Sequence, residues 1–374
     1  MDYRVSELCE QVTTARAGYR PIVIVGGATK SFYGNPMSSV GQQQAFVLHM
    51  GGLDGVIRYE PSELVLTAWA GTRLKDIDAL LLAQNQMLAF DPPRLGDAST
   101  IGGVVAAGLS GPASFGYGPL RHFVLGARLL DAQGRVLKFG GEVMKNVAGY
   151  DVSRLLAGSL GMFGALIDVS IKVLPRPAHD QTCMLELTES DALSVCRSFR
   201  AGTWPVKAAA WLPADDSLGG QADQPGLLYV RLAGAKAAVD HACAQIGGQR
   251  IDAEQADRWW AAFRDQTHPF FTQRPLWRLA VRAGTPALGL GPCAFDLAGE
   301  LRWVVSAEQA PVMRASATQA GGHATLFRMD AHGEVPEQGV FHPLQPAVHT
   351  VVRRLKGEFD PKGVFNPGRL VLDL

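Results

Sequence analysis

Three glycine-bearing blocks in a fixed order constrain this chain more than any other feature. The first, Val25-Gly-Gly-Ala-Thr-Lys-Ser31, follows the apolar run Pro21–Val25. The second is Asp97-Ala-Ser-Thr-Ile-Gly-Gly-Val-Val-Ala-Ala-Gly108. The third runs from Ala148 to Gly164 and contains Gly158-Ser-Leu-Gly-Met-Phe-Gly164. Glycine is put where the backbone must take positive φ, or where a ligand must come close to N–H groups. A Gly-Gly turn after a strand can aim successive N–H groups at one point and form an anion cradle. The hydroxyls of Thr29 and Ser31 can add donors there, and Lys30 can add charge. Alone, the first block is a weak signal and reads more readily as a plain tight turn. The ordered set of three carries the information.

The familiar nucleotide and hydrolase signatures are missing. No G-x-G-x-x-G follows the first strand, so a Rossmann fold is disfavoured, and no G-x-x-x-x-G-K-[ST], H-E-x-x-H or G-x-S-x-G occurs. Lys+Arg and Asp+Glu each total 35, the formal net charge is zero, and no basic stripe is present. There is therefore no electrostatic case for binding nucleic acid or an anionic membrane surface. The five cysteines are scattered with no C-x-x-C, and the nine histidines show no metal-ligand spacing. Reduced thiols and no metal site are expected. No window approaches the roughly 18 apolar residues that span a bilayer, and the N-terminus lacks the apolar stretch of a signal peptide. A cytoplasmic chain without direct membrane insertion is expected, unless a partner carries it to a membrane.

A length of 374 residues predicts two or three domains. Hydrophobic periodicity predicts helices over Ser6–Ala17 and Leu74–Asn85, a strand over Glu63–Ala68, and a hairpin from Phe123–Leu130 and Val136–Phe139 around Asp131-Ala-Gln-Gly134. A strand over Ala165–Leu174 ends at Pro175-Arg-Pro177, where we place a boundary. Beyond it, strands at Thr182–Leu187, Lys207–Leu212, Gly226–Leu232, Leu276–Arg282, Leu301–Val305 and His323–Met329 alternate with helices at Ala235–Ile246, Gln255–Arg264 and Gln309–Gln319. This is an α+β pattern with a mostly antiparallel sheet. A last helix over Pro346–Lys356 precedes Phe359-Asp-Pro-Lys-Gly-Val-Phe-Asn-Pro-Gly-Arg369. The expected organisation is a first domain over 1–177, a second over 178–335, and a segment over 336–374 that returns to the first.

Thr100-Ile-Gly-Gly103, Lys145-Asn-Val-Ala-Gly-Tyr-Asp151, Gly158-Ser-Leu-Gly-Met-Phe-Gly164 and the Phe359–Arg369 segment together resemble the vanillyl-alcohol oxidase/D-2-hydroxyacid dehydrogenase superfamily. Its members have a PCMH-type FAD-binding domain of two α/β subdomains and an α+β substrate or cap domain. Within it, Met144–Arg154, Pro275–Leu279 and Gly321–Arg328 are similar to the FAD-binding subunits of bacterial glycolate oxidase complexes. The resemblance implies FAD, with Gly26, Gly27, Ala28, Thr29, Lys30 and Ser31 around its pyrophosphate. It implies Asp97, Ser99, Thr100, Gly102 and Gly103 along the ribityl and flavin side. Gly158, Ser159, Gly161 and Ile167 would admit the backbone close to the cofactor, with Asn366 and Arg369 near the isoalloxazine ring. The first loop has no His or Cys to tether flavin, so non-covalent FAD is implied.

A 2-hydroxy acid dehydrogenase also needs a cation for the carboxylate and a base for the hydroxyl proton. The superfamily's histidine motifs of the types H-x-G-D-G-N and E-x-x-x-x-H-G-x-G are not intact here. Arg278, on an alternating strand, is the candidate clamp, and His323 is the candidate polar partner. A solvent-facing arginine and a structural histidine would read the same. Trp259, Trp260 and Phe263 read as helix packing. Three functions stay open: the FAD subunit of a complex oxidising glycolate with a second flavin subunit and an iron–sulfur subunit; a self-sufficient FAD oxidoreductase of a small hydroxy acid or sugar alcohol; and a non-catalytic FAD-containing interaction subunit.

Overall fold

The computed structural model describes residues 2–37, 39–141, 151–214 and 225–374. Residues 145–150 of the Lys145–Asp151 motif lie outside them. Two antiparallel sheets organise the rest. A five-stranded sheet has the order Val56–Glu60, Val65–Trp69, Ala165–Lys172, Val124–Leu130, Val136–Gly140. Its central strand, Ala165–Lys172, is buried at seven of eight positions, which is why it reads as a continuous apolar run rather than an alternation. The polar residues it carries inward are matched: Asp168 pairs with Arg128, and the Ser170 and Thr67 hydroxyls bond at 2.8 Å.

The eight-stranded sheet has the order Gln249–Ile251, His179–Thr188, Pro225–Gly234, Val206–Pro213, Cys293–Asp296, Leu301–Val305, Leu276–Ala280, His323–Arg328. Every described pairing in it is antiparallel. This is the α+β architecture expected from the alternating pattern. One face packs on the helices Glu189–Ala201 and Lys236–Ile246. The other face holds Leu276, Trp303 and Phe327 in one core with Tyr33, Ala107, Leu109 and Leu160 from the glycine blocks. Apolar burial at roughly 25 cal/mol per Å² makes that core one attachment between the cofactor half and the large sheet. Trp260 is buried and donates to Thr182 Oγ1 at 3.0 Å, while Trp259 stacks on Tyr229 at 3.7 Å.

A smaller parallel pair, Ile22–Val25 with Phe46–His49, carries the first glycine turn. The C-terminal segment joins it: Ile22 N donates to Val364 O at 2.7 Å, and Asn366 N donates to Ile22 O at 2.9 Å. That segment is anchored by the helix Pro346–Phe359. Its buried Lys356 Nζ donates to Met162 O (2.6 Å), Phe365 O (2.9 Å) and Asp360 Oδ2 (2.7 Å). Asp360 in turn accepts from Val364 and Phe365 N–H, so neither buried charge is left unmatched.

All five cysteines are free thiols. Burial pushes Cys183 and Cys196 up to about 12, which leaves both unreactive. Among the described residues no group of three or more His, Cys, Asp or Glu is arranged to hold a metal. No described helix is long and apolar enough to cross a membrane.

Candidate functional site

A cleft of about 1020 Å³ opens where the three glycine blocks and the C-terminal segment meet. Its first wall is the turn after Ile22–Val25, contributing Gly26, Gly27, Ala28, Thr29, Lys30 and Ser31. Ser31 N–H and hydroxyl both donate to Ala28 O, at 3.2 and 2.8 Å, and close the turn on itself. Ala28 takes φ 56, a left-handed conformation that a side chain enters only when the surroundings hold it there. The backbone N–H groups of residues 26–30 make no hydrogen bond within the described protein. Five consecutive unspent donors on the wall of a cleft are a geometry that can take an anion.

Gly26 and Gly27 serve packing as well as approach. A Cβ on Gly27 would stand 1.5 Å from Ala98 O, and one on Gly26 would stand 2.7 Å from Thr100 Oγ1. Lys30 Nζ bridges the first two blocks, donating to Ser99 Oγ (2.8 Å), Arg94 O (3.1 Å) and Thr29 Oγ1 (3.3 Å). Burial lowers this ammonium to about 8.

The second wall is the short helix Ile101–Ala107, capped by the Thr100 side chain, which accepts from Gly103 N at 3.3 Å. Thr100, Gly102 and Gly103 line the cleft, with Ala106 and Ala107 one turn on. Gly102 is pressed on Ala70, where a Cβ would meet Ala70 Cβ at 2.6 Å and its carbonyl oxygen at 2.7 Å. At Gly103 a Cβ would meet only Thr100 Oγ1, at 3.2 Å. The third wall is Ser159, Leu160, Gly161 and Gly164.

Asn366 fastens two of these walls. Its Oδ1 accepts from Ile24 N at 3.2 Å and its Nδ2 donates to Leu160 O at 2.7 Å. Arg369 Nη2 donates to Ser31 O and Tyr33 O, both at 2.7 Å. Both residues line the cleft; the Asn366 amide is committed on both its atoms to shaping it, and Arg369 through Nη2.

Four expected cofactor residues lie off the cleft. Asp97 is solvent-exposed beyond the turn. Ser99 is buried and is spent on Lys30. Gly158 backs on Gly108, whose Cβ would come within 2.6 Å of the Gly158 Cα, so this pair lets two loops touch. Ile167 sits in the core behind, its carbonyl accepting from Ala70 N at 2.9 Å. Ala106, Ala107 and Met50 line the cleft unforeseen. The two alanines follow Gly102 and Gly103 at the i+4 spacing of one helix face and were findable from that signal.

A second, much smaller pocket lies between residues 93–112 and the large sheet. Arg278, Asp296 and Trp303 line it, with Arg264, Gln266 and Phe327. Register brings these groups to one face. Ala294, Trp303, Arg278 and Thr325 form one cross-strand row; Asp296, Leu301, Ala280 and His323 form the next. The Arg278 guanidinium sits over the Trp303 ring at 5.9 Å. Asp296 is buried and accepts from Leu297 N at 2.6 Å; burial pushes its carboxyl up to about 7 against that bond. Arg264 is paired with Asp91 and Asp265. His323 lines neither space. It opens the edge strand with its side chain exposed, and desolvation by the atoms packed around it, with Arg278 and His342, lowers it below the usual histidine range. Sequence reasoning paired Arg278 with His323, which stands on the adjacent strand within its electrostatic reach; the pocket adds Asp296 and Trp303 beside Arg278.

Residues 4–140 match the model of the FAD binding domain family. The glycolate oxidase subunit GlcE of Escherichia coli (strain K12) is 37% identical over 369 residues, spanning 98% of this chain and 97% of that one. The chain belongs to the GlcE subunit family. It is thus a member of an FAD-binding oxidoreductase family, and its cofactor is FAD. The GlcD glycolate oxidase subunit of Bacillus subtilis (strain 168) is 26% identical over 228 residues, 61% of this chain and 46% of that one. The structure of p-cresol methylhydroxylase with substrate bound superposes with a TM-score of 0.68 at 14% identity, over 99% of this chain and 87% of that one. Alkyldihydroxyacetonephosphate synthase does so at 0.66 and 16%, over 97% and 75%. These two likenesses establish the PCMH-type fold. GlcE-family membership and the glycine-walled cleft agree on the cofactor: unspent backbone donors suit a diphosphate, and the apolar side groups Val23, Met50 and Leu166 suit a ring system.

Proposed function

We propose that this chain is the FAD-holding subunit of a heteromeric 2-hydroxy-acid oxidase, which converts glycolate to glyoxylate and passes the electrons to partner subunits. The observation that carries the proposal is the row of unpartnered N–H groups at residues 26–30 facing a cleft, in a chain similar to GlcE over its length. A second flavin subunit and an iron–sulfur subunit are the proposed partners. Any membrane attachment would run through them. The division at 177 and 335 belongs to the same proposal. Its support is that the five-stranded sheet ends at Lys172 and the eight-stranded sheet runs from His179 to Arg328.

The residues divide by task. The 26–30 backbone, Thr29 and Ser31 hold the diphosphate non-covalently, and Lys30 sets a positive charge beside it while tying the turn to Ser99. Gly103, Ala106 and Gly161 keep side chains out of the ring's path. Asn366 and Arg369 hold the walls at their separation. When bound, FAD supplies a two-electron acceptor for the alcohol carbon. Arg278 is the proposed cation for the carboxylate. His323, kept neutral at pH 7, is an acceptor one strand away.

A self-sufficient oxidoreductase is the second reading, favoured by the polar pocket around Arg278 and Asp296. One experiment separates the two. The chain is purified alone, its visible spectrum is recorded, and glycolate is added anaerobically. Bound flavin that stays oxidised until partner subunits are added supports the complex-dependent subunit. Bleaching by glycolate alone supports the self-sufficient enzyme, and a flavin-free chain that takes up no added FAD refutes both.

A further inference from the structure

Buried polar groups normally find partners, and among the described residues the small pocket holds one indole N–H that has none, beside a guanidinium with no hydrogen-bonded partner. Trp303 is 7% exposed and its Nε1 makes no hydrogen bond. Arg278 is half-buried; it sits over the Trp303 ring and faces Asp296, but among the described residues its guanidinium makes no hydrogen bond or ion pair. Arg264 beside them is different, being consumed by two aspartates. A desolvated indole N–H and an unpaired guanidinium side by side call for the same partner, an anion with more than one acceptor oxygen. The space is small, and Leu109, Phe263 and Phe327 wall it. Only a compact ligand fits.

On the reading that the subunit handles a small 2-hydroxy acid, we infer that this pocket is the carboxylate subsite, in which Trp303 Nε1 and the Arg278 guanidinium donate to the carboxylate and Asp296 faces the 2-substituent. Asp296 is held at that place by two successive left-handed residues, Leu297 (φ 50) and Ala298 (φ 54), neither of them glycine. Strain of this kind persists where the surroundings over-determine a position. Arg278 faces Asp296 across the pocket, with Asp91 and its partner Arg264 beyond. With its proton, the carboxyl can donate to an oxygen of the ligand. Without it, a second negative charge stands beside the anion, so affinity falls as pH rises through about 7.

The test uses the full chain as purified with its flavin, ¹⁵N-labelled at the tryptophan indoles and titrated with oxalate. Oxalate presents the carboxylate but has no hydrogen to give up. The indole resonance missing from Trp303→Phe is expected to move saturably, and uncharged glycolamide is expected to leave it in place. Arg278→Met should weaken oxalate binding by at least about 10-fold, the scale of a charge-assisted contact. Arg278→Lys, which keeps the charge but loses the fork, should fall between. The loss of affinity between pH 6 and pH 8 should vanish in Asp296→Asn. A Trp303 resonance that stays fixed at high oxalate in flavin-replete protein overturns the subsite and leaves the proposed activity standing. Saturable oxalate binding with flavin that glycolate never reduces, even with partner subunits, supports the subsite and overturns the activity. Should Trp303→Phe fail to fold, affinities from tryptophan fluorescence decide: equal values for the parent, Arg278→Met and Arg278→Lys overturn the proposal.

Discussion

Gly102 and Gly103 are neighbours in one helix, yet alanine at the two positions should act with opposite sign on the apoprotein. At Gly102 the added methyl would lie 2.6 Å from Ala70 Cβ and 2.7 Å from the Ala70 carbonyl oxygen. That oxygen already accepts from Gly102 N at 2.8 Å and cannot retreat without breaking the bond. Overpacking of this kind destabilises by roughly 1–3 kcal/mol. At Gly103 the methyl meets a single atom, Thr100 Oγ1 at 3.2 Å, and otherwise enters the cleft. Once the Thr100 hydroxyl gives by a few tenths of an ångström, replacing a helical glycine by alanine there stabilises the apoprotein by at most about 0.5–1 kcal/mol. The cofactor reverses the order. Ligand at 100 times its Kd adds about 2.7 kcal/mol to the parent, and Gly103→Ala should lose most of that because the methyl stands where the ring must pass. Urea denaturation with and without added FAD, together with flavin stoichiometry from the visible spectrum, reads both effects. A Gly103→Ala protein that keeps one flavin per chain and the parent's FAD-dependent rise in midpoint would refute the claim that bare backbone at this position admits the cofactor.

Four further outcomes follow from named contacts. Lys356→Met leaves Asp360 buried without its cation and should destabilise by about 3–5 kcal/mol, measured by chemical denaturation, with flavin lost as the C-terminal segment loosens. Asn366→Ala leaves Ile24 N–H and Leu160 C=O without their partner; at about 1–3 kcal/mol for each such group, both midpoint and flavin content should drop. Asp296 is raised from 3.8 to about 7 in the folded chain. Native protein therefore holds the proton in a window where unfolded chain has lost it, and stability from this group falls as pH rises from about 4 to about 7, by roughly 4 kcal/mol in total. Asp296→Asn should flatten that part of the pH–stability curve. Lys30, lowered to about 8, loses its charge as pH rises through that value. FAD affinity should weaken from pH 7 to pH 9 in the parent and lose this dependence in Lys30→Gln.

The cofactor half was legible in the sequence because its function rests on backbone, and backbone requirements leave glycines in order. The turn at 26–31, the Thr100 cap and the 158–164 loop stand close to where their motifs imply. What the motifs hid was the division of labour. Gly158, Ile167 and Ser99 belong to the architecture behind the cleft, because a glycine required for loop-to-loop contact looks the same in sequence as one required for a ligand. Asp296 was invisible for another reason. It ends a four-residue strand after the Gly- and Pro-rich stretch 284–292, and nothing local marks it. Its burial comes from pairing with Leu301, and its neighbourhood from the row that brings Arg278 and Trp303 alongside. Arg278 was readable because strand alternation isolates it, while its place facing Asp296 was not.

The bond from Ile24 N to Asn366 Oδ1 joins positions 342 residues apart. A polypeptide emerging from the ribosome would carry its first glycine turn for almost the whole of translation before the residue that fixes that turn to the opposite wall was made. Contacts so distant in sequence form late. Flavin loading should therefore trail synthesis, and a chain broken off before Asn366 would emerge with most of its sheets intact but no secure hold on the cofactor. Yellow colour would then report that the C-terminal segment has closed on the first glycine turn.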